Sequence, residues 1–73
     1  MKYEYDASGE KCPLPLVKLR VMLKKMKAGD CCQLLLTDSG SKSDIPKFLQ
    51  KLGHHVVIKE RDNDVQELII QIR

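Results

Sequence analysis

The chain has 73 residues, enough for one domain near the lower size at which a core forms without metal or disulfides. Apolar residues make up 42%, charged residues 32% and aromatic residues 4%, with no tryptophan, which fits a soluble globular domain with an aliphatic core. No stretch approaches the ~20 apolar residues of a membrane span, the opening MKYEYDASGE has no apolar run behind its lysine, and three cysteines, two of them adjacent, do not make a disulfide framework.

A single cytoplasmic domain over residues 1–73 is therefore expected. The net charge is +3, but Lys11, Lys18, Arg20, Lys24, Lys25 and Lys27 crowd residues 11–27 with no acidic residue among them. Such a segment is either a solvated helix face or a surface for an acidic partner.

Residues 2–6 alternate tyrosine with polar residues and predict a strand with Tyr3 and Tyr5 on one face; ASGEK is then a loop. From Pro13 to Lys27, Leu16, Leu19, Leu23 and Met26 recur at helical spacing, with Gly29 as the stop signal. CCQLLLT, residues 31–37, predicts a strand with Cys32, Leu34 and Leu36 on one face, and DSGS turns the chain out of it. A second helix follows, capped by Ser41 or Ser43, with Pro46 in its first turn, Ile45, Phe48, Leu49 and Leu52 as its stripe, and Gly53 at its end. HVVIKE and QELIIQI then predict two antiparallel strands joined by the turn RDND. The order is βαβαββ: an α/β two-layer sandwich, with a mixed four-stranded sheet and both helices on one face.

Pro13 suits the first helical position, which places Cys12 at the cap of the helix and Pro15 at its third position. Of the first three amides only that of Leu14 is then left to face the sulfur. The positive end of the helix dipole, with Lys11 and Lys18 nearby, favours the thiolate, which is the nucleophilic form. The residue three after Cys12 is Pro15, so the C-x-x-C device that resolves a dithiol adduct is absent. A lone exposed thiol suits the carrying of a group.

Cys31 and Cys32 are adjacent in a strand and point to opposite faces, one to the core and one to the surface. His54 and His55 match no zinc spacing with the cysteines, so no metal and no cofactor is expected. Val17 and Val21, off the main stripe and beside Arg20 and Lys24, are either edge packing or an apolar docking centre with a basic rim. Paired carboxylates, a glycine-rich phosphate loop and a Ser/His/Asp arrangement are all lacking, so nothing supports hydrolytic or nucleotide chemistry.

Cys12-Pro13-Leu14-Pro15, behind DASGEK and followed by KAGD, Asp38 and Asp44-Ile45-Pro46, resembles the TusA/SirA-like sulfur carriers, whose mark is a C-P-x-P motif. The resemblance runs from about Tyr5 to the last strand. It implies a fold like the C-terminal domain of translation initiation factor three. It also implies a sulfurtransferase-type carrier that takes a sulfane sulfur from a cysteine desulfurase as a persulfide on Cys12 and passes it to a downstream acceptor protein, as in 2-thiouridine synthesis on tRNA. By the same resemblance, Arg20 faces the donor and Asp38 the acceptor; the residues themselves add Pro13, Leu14 and Pro15 as positioning the thiol, and Lys11, Val17, Lys18 and Lys24 as the rest of the docking set. The chain departs from the best-known members at Ser43 and Lys24, where they have arginine, and at Lys51, where they have an aromatic. A monomer is expected, with no membrane and no direct nucleic-acid partner. The alternatives are a small RNA-binding or regulatory module using the basic helix, which has no need of Cys12, and a carrier for selenium or another sulfur pathway.

Overall fold

The computed structural model of the protein describes residues 2–73. Its elements run β1 (Lys2–Ala7), α1 (Leu14–Leu23), β2 (Cys31–Leu36), α2 (Ser39–Lys51), β3 (His55–Glu60) and β4 (Gln66–Gln71). The four strands form one mixed sheet in the order β1-β2-β4-β3. β1 lies parallel to β2, and β4 inserts antiparallel between β2 and β3.

Register follows the alternation of apolar side chains, because a slip of one residue would turn every core side chain to solvent. Tyr5 stands beside Leu34, Leu34 opposite Leu68, and Leu68 opposite Ile58. Leu34, Leu36, Leu68 and Ile70 are fully buried together with Leu19 of α1 and Ile45 and Leu49 of α2, so both helices cover the same face. Each such side chain stabilises the fold by roughly 1.5–3 kcal/mol. Cys32 joins this core, while Cys31 points to the other face, as adjacent strand positions require. The β3–β4 hairpin turns through Asn63 and Asp64, both at φ 61°, a conformation that Asn and Asp tolerate better than other side chains.

Several element boundaries differ from those predicted. α1 stops at Leu23, not Lys27; Met26 is buried all the same, because the chain leaves the helix along the core before Gly29, at φ 94°, turns it into β2. Only Thr37 and Asp38 separate β2 from α2, whose cap is Asp38, not Ser41 or Ser43. Pro46 thus lies in the helix interior rather than the first turn, where its missing amide is a defect. Its ring is buried beside Ile45 and Leu49, which offsets part of that cost. Leu52, placed in the apolar stripe by spacing, is 52% exposed, because the helix ends at Lys51 and Gly53, at φ 89°, redirects the chain.

Candidate functional site

The loop between β1 and α1 is held by two bonds to the junction between β2 and α2. Gly9, at φ 81°, donates its amide to Thr37 Oγ1 at 2.8 Å, and Cys12 donates its amide to Asp38 Oδ2 at 3.2 Å. Asp38 Oδ2 also accepts from Ser41 N at 2.9 Å, which caps α2. These bonds, with that of Ser41 first, hold the Asp38 carboxyl below the usual carboxylate range.

The thiol of Cys12 is free and exposed, but the cysteine is not the cap of α1. Pro13 holds that position, after a cis Cys12–Pro13 peptide, and Leu14 begins the helix. The Leu14 amide does not face the sulfur either, because it closes a turn on Lys11 O at 2.9 Å. The neighbour of the cysteine is the first turn of the other helix: a Cβ built on Gly40 would lie 3.5 Å from Cys12 Cβ and 3.2 Å from Asp38 Oδ2. Pro15, expected simply to shape the helix entry, is fully buried and belongs to the core as well as to the motif.

Lys18 pairs with Glu10 in the loop that precedes the cysteine. Its Nζ lies 3.1 Å from Glu10 Oε2 and 5.8 Å from the centre of the Tyr5 ring. Tyr5 donates its hydroxyl to the other Glu10 oxygen. Burial and this bond to an anion push the Tyr5 phenol upward, and the same bond holds the Glu10 carboxyl down. Of the other cysteines, Cys32 is pushed up to about 11 by burial, which keeps it protonated and inert at neutral pH.

The remaining predicted residues fall into two groups. Lys11 and Asp38 line a groove of about 330 Å³ with Gly9, Glu10, Thr37 and Asp64, beside the cysteine loop. Val17, Arg20, Val21 and Lys24 line a smaller groove of about 170 Å³ on the outer face of α1. Val17 and Val21 are each 52% exposed, and with Leu14 at 44% they form an apolar stripe that starts at the motif and runs along the helix. Ser43 and Lys51 are exposed on α2. Spacing alone did not reveal Gly40 or Glu10 as neighbours of the site. The available signal was the acidic residue Asp38 three positions before Ser41, which is cap spacing.

The profile of the family described as Sulfurtransferase TusA matches residues 3–72. The chain belongs to the TusA family. Relatives agree: a sulfur carrier protein TusA of Pseudomonas putida is 35% identical over 57 residues, 78% of this chain and 71% of that protein. A protein of Archaeoglobus fulgidus, named provisionally as a sulfur carrier, is 32% identical over 66 residues, 90% of each chain. Among solved structures, the SirA-like protein of Desulfitobacterium hafniense superposes with a TM-score of 0.84 at 28% identity, covering 97% of this chain and 96% of that one. The likeness spans both helices and the four-stranded mixed sheet, so the fold and the sulfur-carrier family stand together.

Proposed function

We propose that the protein carries sulfane sulfur as a persulfide on Cys12. The thiolate Sγ of Cys12 attacks the outer sulfur of a donor persulfide, the donor's S–S bond breaks, and the electron pair leaves with the donor's inner sulfur as a thiolate. The outer sulfur and its proton are then bonded to Cys12, and no net oxidation occurs. Attack by an acceptor thiolate on that outer sulfur repeats the exchange and returns Cys12 to its starting form.

The observation that carries this reading is a free, exposed thiol on a loop tied down at both Gly9 and Cys12, beside an exposed apolar stripe. A carrier must insert its thiol into another protein's active site. The Val17–Val21 stripe rimmed by Arg20 and Lys24 supplies an apolar centre and a basic edge for an acidic donor surface. A cysteine desulfurase fits as the donor class, and a relay protein leading to tRNA thiolation as the acceptor.

Intact mass after incubation with a cysteine desulfurase and cysteine tests the reading. The expected result is a gain of one sulfur atom, reversed by reductant, mapped to Cys12 and absent in Cys12→Ser. Equal labelling of Cys31 and Cys32, or an adduct retained in Cys12→Ser, would overturn the assignment.

A further inference from the structure

Two prolines leave the tetrad Cys12-Pro13-Leu14-Pro15 with two amide donors, since proline has none. The Leu14 amide is satisfied locally by Lys11 O at 2.9 Å. The Cys12 amide bonds across 26 positions of sequence to Asp38 Oδ2 at 3.2 Å. A helix cap requires only the second bond that this oxygen accepts, from Ser41 N. The bond to Cys12 is additional to capping, and it fastens the backbone of the exposed cysteine to the rigid first turn of α2. The fit is close: a side chain of one carbon at Gly40 would press on Asp38 Oδ2 at 3.2 Å.

We infer that Asp38 is a positioning residue for the sulfur relay, fixing the direction of the Cys12 thiol through the cysteine's own amide. This rests on the carrier reading of Cys12 and assigns Asp38 an intramolecular task in place of the acceptor contact implied by family resemblance. A carbonyl oxygen can accept both bonds, so the task depends on geometry and not on charge. A thiol that must enter a partner's site tolerates little misplacement, and losing one bond that fixes it slows transfer by up to about tenfold.

The test compares Asp38→Asn, which keeps an acceptor at the same reach, with Asp38→Ser, which keeps a good cap for α2 on a shorter side chain that does not span to Cys12. Three quantities are read on the full chain: the thermal midpoint, hydrogen exchange of the Cys12 amide by NMR, and the rate of sulfur loading by a cysteine desulfurase as a function of carrier concentration. The expected result is that Asp38→Ser stays folded, exposes the Cys12 amide to exchange, and lowers the maximal loading rate by about tenfold with little change in half-saturation. Asp38→Asn should restore both amide protection and rate. Loss of rate in Asp38→Asn with the Cys12 amide still protected would show that the charge acts on the partner, and would overturn the inference. So would an unchanged loading rate in Asp38→Ser once its Cys12 amide exchanges freely. If the parent chain takes up no sulfur, the carrier reading fails on its own, and the exchange data still decide whether Asp38 holds the cysteine: equal exchange in all three proteins refutes it.

Discussion

In the first turn of α2, facing Cys12, stands Gly40, and its lack of a side chain is a matter of space, not of backbone conformation. Alanine there gains helix propensity, worth up to about 1 kcal/mol in a helix interior, while its Cβ at 3.2 Å makes the Asp38 carboxylate yield by a few tenths of an ångström. The two effects oppose each other in stability but not in function. Gly40→Ala should hold its thermal midpoint within a few degrees of the parent and still load sulfur more slowly, which parallel melting and desulfurase-dependent loading will check. An equal loading rate would mean that the thiol's direction is set elsewhere. The cysteine itself was legible from its prolines and lysines, because local sequence contains them. Its partners were not, since Asp38 and Gly40 lie far along the chain and meet Cys12 only once β2 is paired beside β1. Lys18, expected to add to the potential at the cysteine, is paired with Glu10 of the same loop.

At the scale of the element, α1 has two opposed tasks. Pro15 and Leu19 are buried against the sheet, while Val17, Arg20, Val21 and Lys24 face outward around one shallow groove. Exposed rim charges act mainly on encounter rate and contribute little to folding. Reversal of both, Arg20→Glu with Lys24→Glu, should therefore leave the melting curve unchanged and slow loading by a desulfurase by roughly tenfold or more at low salt. Added salt should slow the parent toward the variant, because it screens the same attraction. Loading indifferent to both would make the basic segment a solvated face. The hairpin β3–β4 was legible to the residue at β3 because the β-branched run Val56-Val57-Ile58 lies between Gly53 and the polar turn RDND. The ends of the helices were not. Met26 keeps helical spacing after the helix has ended, and Ser39-Gly40-Ser41 has turn composition but is carried into α2 by the Asp38 cap.

Over the whole molecule, the shifted groups work in two pH ranges. Glu10, Asp38 and Glu67 are held below their ordinary values of 4.5, 3.8 and 4.5. The hydroxyl of Tyr5, the amide of Ser41 and the guanidinium of Arg61, whose Nε lies 2.7 Å from a Glu67 that is 4% exposed, are the respective leading causes. For a depressed carboxyl, the unfolded chain takes up the proton first as pH falls. The stabilisation is thus complete above the ordinary carboxylate range and is lost as pH drops through the lower folded values. Thermal midpoints should be flat from neutral pH down to about 5 and then fall steeply, with a shallower fall in Glu67→Gln, since that position then has no charge to lose.

Tyr5 supplies the opposite limb. Its phenol is raised from 10.0 by burial first and by Glu10 second, so above pH 10 the unfolded chain releases a proton that the folded chain retains. Stability present below pH 10 is then lost as pH rises toward the folded value. Tyr5→Phe removes both the titrating group and its bond to Glu10. It should lower the midpoint at neutral pH, because Glu10 loses a donor, and flatten the decline above pH 10. A series of thermal melts from pH 8 to 11.5 on the two proteins will decide it. A parallel fall in both would assign the alkaline limb to the lysines, whereas convergence of the two curves as pH rises would assign it to this tyrosine, on the same β1 strand that leads into the cysteine loop.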